Sequence, residues 1–362
     1  MLKEKRIPPS LGYVPSLDGL RAIAVLMVML LHAHFQLGKG GGLGVDMFFA
    51  LSGFLITTLL LEENQKNNRI SLGSFYIRRT FRLFPALYFM LLVVLIYALV
   101  FSNGAKQIII LKEVFASGVY VNNISYLWDF ESLILAHTWS LGVEEQFYFV
   151  WPLLLMLSLR FLSPNKLLLA LLFFIPLIWM IKITDYFPIL WGLIHESLFI
   201  GCLFALLRWT GRLPVKIPNL VTLLFFIAAI VIGVFPITVY HDLVEYNLRF
   251  VGGLLSIIII IGLVDASNSM LSKLLSSRFL VFIGKISYAL YLWHVPVFRW
   301  FAWHSTLPAS VAFILKFVVT FLIAIVSLEL IEKRSMKIGR ILSKKLAVKN
   351  AVEDTIPEKK GI

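Results

Sequence analysis

Apolar residues run through this chain in blocks of about 17 to 23 residues, divided by short polar links rich in Lys and Arg. A block that long crosses a bilayer as a helix, because about 20 residues at about 1.5 Å rise cover about 30 Å of hydrocarbon. Ten such spans are predicted, approximately at 17–36, 44–62, 83–101, 139–160, 167–183, 190–208, 219–236, 247–264, 280–300 and 309–331. The segment 102–138 is ambiguous, since Lys112, Glu113, Asn122 and Asn123 interrupt its apolar stretch at 108–126. Counting it as a span would put Arg208, Arg212 and Lys216 outside. Leaving it out gathers Arg160, Lys166, Arg208, Arg212, Lys216, Lys273 and Arg278 on the inner side. The outer links then carry mainly Asp129, Glu131, Asp185, Asp242 and Glu245. That second arrangement obeys the positive-inside rule. It makes 102–138 an outer loop with re-entrant or surface helices, tolerated where such a segment packs on protein or lines a cavity.

The expected fold class is therefore an all-α membrane protein with about ten transmembrane helices and both termini cytoplasmic. Residues 1–335 form its transmembrane domain, and 336–362 form a basic cytoplasmic tail (Lys333, Arg334, Lys337, Arg340, Lys344 and Lys345 mark its start) that is expected to be disordered. The basic start, Lys3, Lys5 and Arg6, raises the possibility of a signal peptide. Pro8, Pro9 and Pro15 intervene, the run is too long, and no small-residue cleavage site follows, so the first block stays as a span.

Composition agrees. The chain of 362 residues is 59% hydrophobic and only 15% charged, whereas globular chains sit near 45–50% apolar and about 25% charged. The net charge of +13 suggests nucleic acid at first sight, but the cations fall between apolar blocks and in the tail, so membrane lipids rather than nucleic acid are the expected surroundings. The single Cys202 excludes an intrachain disulfide and a Cys-based metal site, and no metal is expected. The Gly-rich link Gly38–Gly44 has no Lys-Ser or Lys-Thr after it, so it reads as an outer hairpin and not a P-loop.

The first block, Ser16 to Phe35, also carries Asp18, Arg21, His32 and His34, which a lipid-exposed helix does not keep without a reason. Arg21 and His32 are 11 positions apart; at about 100° per residue they point within roughly 20° of one direction, about 16 Å apart along the axis. Arg21 alone fits a basic residue snorkelling to headgroups. The case for more comes from FYIRRTFRLFP, where Arg78, Arg79 and Arg82 recur and the last two share a helical face. Gathered guanidiniums suit a polyanion such as a phosphorylated cofactor, although positive-inside charge supplies the same pattern.

His32 reads either as a buried His satisfied by backbone or as a neutral imidazole acting as general base on a hydroxyl. His34 faces elsewhere and is expected to be structural. Asp46, at the start of the second span, is a candidate to orient His32 or to cap its own helix. In HTWSLGVEEQFYFVW, Glu144 and Glu145 sit about two turns into an apolar span; being adjacent, they cannot share one face. They serve a site or hold helices together as ion pairs. GKISYALYLWHVPVF sets Ser287, Tyr288, Tyr291 and His294 on the ninth span, with Tyr291 and His294 close in direction. Aromatic-belt residues give the same signature. His195 and Glu196 resemble no metal site by themselves. Glu329 and Glu332 are candidates to pair with the inner arginines, while His241 and His304 in outer links suggest nothing.

Five of these stretches coincide with one family. LDGLRAIAVL with ten residues between Arg21 and His32, GVDMFFALSGFLI at 44–56, RRTFRLFP at 78–85, WSLGVEEQFY at 139–148 and ISYALYLWH at 286–294 together resemble the acyltransferase family 3 membrane proteins. These O-acetylate lipopolysaccharide O-antigens, peptidoglycan, exopolysaccharides and some antibiotics. The resemblance covers residues 14–335. It implies acyl transfer from cytoplasmic acyl-CoA, here acetyl-CoA, to an outer hydroxyl. Arg21, Arg78, Arg79 and Arg82 would bind CoA phosphates, His32 would act as base, and Glu144, Glu145 or Asp46 would support it. Trp139, Ser140, Tyr148, Tyr288 and His294 are the expected substrate-binding residues. Relatives often carry a fused extracytoplasmic hydrolase-like domain; the chain is expected to lack one and to acetylate a glycan or its lipid-linked precursor directly, or through a separate transferase. The expected location is the inner, cytoplasmic membrane. A transporter or flippase for a glycan or small anion is the alternative from another class, since a charged bundle also makes a pathway.

Overall fold

The computed structural model describes residues 10–33, 38–124, 132–183, 192–213, 216–235 and 242–355. Lys3, Lys5, Arg6, Pro8, Pro9, His34, Asp129, Glu131, Asp185, His241 and residues 356–362 lie outside that set. The described residues form helices and links, with no strand among them. In chain order these are α1 (Pro15–His32), α2 (Leu43–Asn67), α3 (Leu72–Phe101), α4 (Gly104–Gly118), α5 (Trp139–Phe161), α6 (Pro164–Ile183) and α7 (Glu196–Trp209). Then follow α8 (Asn219–Val234), α9 (Asp242–Asp265), α10 (Met270–Leu275), α11 (Arg278–Lys285), α12 (Ser287–His304), α13 (Ala309–Ser327) and α14 (Lys333–Thr355).

Five helices are long and apolar enough to cross a membrane among the described residues: α1, α2, α3, α6 up to Lys182, and the run Ala309–Ala347. The pair α11 and α12, bent by 66°, makes a sixth if read as one broken span. The chain is thus a multi-pass membrane protein. Helices also stand where other spans are predicted, but α7 and α8 have only 14 and 16 residues, short of what crosses about 30 Å alone.

The bundle exposes large apolar residues on its outside and buries several charged ones within its apolar core. Leu92, Ile96, Phe149, Leu154, Leu169, Phe173, Ile314 and Leu322 are exposed, whereas Asp46, Glu113, His137, Lys182, His195, Glu196, His294 and Glu332 are buried. Apolar residues therefore meet lipid while polar ones find partners inside. At the centre is α1, with Leu20, Ala22, Ala24, Val25, Val28 and Met29 fully buried against α2, α10, α11 and α12. Its start at Pro15 suits a first helical turn, where the missing N–H costs nothing.

Glycines set the closest helix crossing. A Cβ on Gly201 would sit 2.7 Å from Phe54 N and 3.1 Å from Gly53 C, so α7 and α2 meet backbone to backbone. The ambiguous 102–138 stretch contains α4, which folds back along α3. Gln107 donates to Ala98 O at 3.0 Å, and Tyr88 donates to Gly118 O at 2.9 Å. The buried Glu113 carboxylate on α4 accepts from the Ser132 hydroxyl and from the backbone N–H groups of Leu133, Ile134 and Leu135. Those bonds fix the approach to α5.

The tail departs from its expected disorder as far as Thr355. A π-helical turn, Leu328–Glu332, joins α13 to α14, which packs along α3. Its buried positions are Ser335, Gly339 and Ser343, four apart and small, so the helix lies close against Phe81 and Ser74. Basic residues and the exposed Ile338, Ile341 and Leu342 occupy the other faces.

Candidate active site

Arg21 and His32 stand at opposite ends of α1, and two separate cavities open beside them. Near Arg21 a cavity of about 150 Å³ is lined by Arg79 and Arg82 of α3, Ser52 of α2, Glu144 and Tyr148 of α5, and Tyr288 and Tyr291 of α12. The Arg79 guanidinium lies 4.0 Å from the centre of the Tyr148 ring. Tyr148 and Ser52 both donate to the Glu144 carboxylate, and the Tyr148 hydroxyl oxygen lies 2.8 Å from Ser52 Oγ. Arg21, Arg79 and Arg82 make no ion pair with a carboxylate among the described residues, and the buried Nε of Arg21 has no hydrogen-bond partner. Glu144 and Glu332 act on Arg82 only through longer-range attraction. Three converging guanidiniums with unspent donors make a site for a polyanion.

Near His32 a larger cavity, about 450 Å³, is lined by Lys39, Asp46, Trp139, His195, Arg249 and Tyr291 among others. Trp139 packs edge-on to Phe49, with the Arg249 guanidinium 5.9 Å from its ring.

Among the described residues, only Val45 and Tyr291 line both cavities. The Tyr291 hydroxyl donates to His137 O at 2.9 Å and lies 2.6 Å from Ser140 Oγ. Tyr291 is therefore fixed in the wall between the two cavities.

Several predicted residues land elsewhere. Asp46 neither caps α2, whose N-cap is Gly42, nor stands behind His32; it accepts from Ser197 Oγ at 3.0 Å and lies 3.5 Å from His195 Nε2. Glu144 is taken up by Ser52 and Tyr148 on the Arg21 side, so it does not hold the imidazole either. Glu145 feels the charge of Arg79. Among the described residues, the side chain that bonds the His32 ring is His294, whose Nε2 is 3.2 Å from His32 Nδ1. Arg78 leaves the Arg79 and Arg82 cluster: it donates to Ser343 Oγ at 2.9 Å and is 4.0 Å from Glu63. It is exposed by about 100° of helical rotation per residue from Arg79. Tyr288 lines the smaller cavity and donates to Leu83 O at 2.8 Å. Glu332 turns inward near Arg82, while Glu329 pairs with Lys333 on the surface.

Three contributors lie outside the sequence-based set. Ser52 anchors Glu144. Lys316 donates to Ala33 O at 2.9 Å, holding the end of α1 beside His32. Lys182 pairs at 3.0 Å with Glu196, both buried next to the Asp46 cluster. An isolated Lys in an apolar block was the available signal for both lysines. Among the described residues, no three His, Cys, Asp or Glu side chains converge to hold a metal ion.

Comparison with known proteins matches residues 14–329 to the acyltransferase domain family. The chain is 36% identical over 357 residues to the peptidoglycan O-acetyltransferase OatA of Listeria monocytogenes serovar 1/2a, covering 91% of this chain and 57% of that protein. It is 33% identical over 361 residues to the O-acetyltransferase OatA of Staphylococcus aureus strain NCTC 8325, covering 92% of this chain and 59% of that protein. The chain thus spans less than two thirds of the length of these relatives. No solved structure matches it.

Proposed function

The chain belongs to the acyltransferase domain family, and from that premise we propose that it is a membrane O-acetyltransferase carrying acetyl from acetyl-CoA to a hydroxyl of a cell-wall glycan. Peptidoglycan is the acceptor class named for a relative, and a lipid-linked precursor offers the same hydroxyl chemistry. The observation that carries the reading is the pair of cavities meeting at Tyr291, one rimmed by Arg21, Arg79 and Arg82 and the other by His32.

The arginine cavity takes the phosphates of the donor, and the pantetheine arm extends along α1 toward Tyr291. The distance of about 16 Å between Arg21 and His32 along the axis matches an extended arm of that kind. The acceptor enters the larger cavity, with Trp139 as its platform. His32 removes the proton of the attacking hydroxyl, the oxygen adds to the thioester carbonyl, and the C–S bond breaks to release CoA thiol and an ester. The arginine end faces the cytoplasm, the spans cross the cytoplasmic membrane, and both termini are inside; the excess of Lys and Arg in the links at that end supports this sidedness.

Removing a positioned general base costs about 10²–10⁴-fold in rate. His32→Ala should accordingly abolish acetyl transfer at equal expression, measured as CoA release coupled to ester formation on glycan strands. Wild-type rates in that variant would sink the assignment. A transporter would release no CoA at all, and ester formation that needs a second purified protein would identify a transfer partner.

A further inference from the structure

The identity of the group behind His32 follows from backbone geometry. His294 is fully buried on α12, and its Nδ1 lies 2.7 Å from Tyr291 O and 3.2 Å from Leu290 O. A carbonyl only accepts, so Nδ1 carries the proton and the lone pair of the neutral ring is on Nε2. That Nε2 lies 3.2 Å from His32 Nδ1. His32 Nδ1 is also 3.0 Å from Val28 O, a second group that only accepts. Both neighbours require the hydrogen of His32 on Nδ1, which puts its basic lone pair on Nε2, and the ring lines the larger cavity.

We propose that His294 is the positioning residue of the transfer reaction, fixing the tautomer and orientation of His32 through a His–His hydrogen bond in place of a carboxylate. The inference rests on the reading of His32 as the base. When His32 takes the acceptor proton on Nε2, its Nδ1–H bond to His294 becomes charge-assisted and strengthens. A neutral imidazole does this without the desolvation penalty that an ionised carboxylate would carry at membrane depth. The groups facing this pair are His137, whose ring centre is 5.0 Å from that of His294, Tyr291 at 5.4 Å, and Lys316 bonded to Ala33 O beyond His32. His137 Nε2 is committed to Leu292 O at 3.1 Å, so it donates there and leaves His294 to its two carbonyls and His32.

The test uses the full chain reconstituted in vesicles, with acetyl-CoA as donor and soluble peptidoglycan strands as acceptor. His294→Gln offers an amide oxygen near the position of Nε2 and should retain most of the rate. His294→Leu should lower kcat about 100-fold, the low end of what a positioned base contributes, with KM for acetyl-CoA unchanged. Wild-type kcat in His294→Leu alongside an inactive His32→Ala overturns the positioning role and leaves the base intact. Wild-type activity in His32→Ala overturns both. A measurement that needs no variant of His294 guards against misfolding: ¹⁵N-histidine NMR of the wild-type protein should show coupling across the His32 Nδ1–H···Nε2 His294 bond, with signals assigned by their loss in His32→Asn. A His32 protonated on Nε2 alone, with no coupling, refutes the proposal.

Discussion

The three arginines of the smaller cavity differ in what surrounds them, and the difference makes them separable. Arg79 lies over the Tyr148 ring and Arg21 keeps a buried nitrogen unpartnered, whereas Arg78 one residue away spends its donors on Ser343. A charge-assisted hydrogen bond is worth about 1.5–3 kcal/mol, so Arg79→Gln should raise KM for acetyl-CoA at least about tenfold. Arg78→Gln should leave that KM alone and loosen α14 instead, visible as faster amide exchange over 335–347. Much of this was legible beforehand. The helical period alone put Arg21 and His32 on one face, and the i, i+3 spacing paired Arg79 with Arg82. What periodicity cannot supply is the partner from another helix. The choice of Ser52 and Tyr148 for Glu144, of Ser197 and His195 for Asp46, and of His294 for His32 depends on how helices cross, and nothing local in the chain encodes a crossing.

At the scale of elements, the crossing of α2 and α7 depends on having no side chain at Gly53 and Gly201. Gly201→Leu would drive a branched side chain into the α2 backbone, where even a Cβ stands 2.7 Å from Phe54 N. Overpacking of this kind costs about 1–3 kcal/mol, so the purified variant in detergent should melt at lower temperature than the wild type. The predicted spans fell on helices because long apolar blocks are strong signals. The tail helix carries no such signal, since the buried stripe of α14 is Ser335, Gly339 and Ser343 and offers no apolar periodicity to read. Close packing of small residues makes that helix, and it is silent in hydropathy.

For the whole molecule, the consequential expectation is sidedness, with the arginine cavity inside and the His32 cavity outside. Lys39 is exposed beside the larger cavity and Lys337 is exposed on α14 at the other end. Because Cys202 is fully buried, Lys39→Cys and Lys337→Cys each introduce one reachable thiol. In intact spheroplasts an impermeant maleimide should label Lys39→Cys, and it should label Lys337→Cys only after permeabilisation. The reverse pattern would invert the direction of transfer.

The burial of Cys202 has a chemical consequence as well. A thioester exchanges most readily with another thiol, and acyl migration between sulfurs is the side reaction that an enzyme handling such a donor must avoid. This chain has one sulfhydryl, sealed on α7 against α2 and outside both cavities. An acyl group presented on sulfur in either cavity therefore meets no protein thiol among the lining residues.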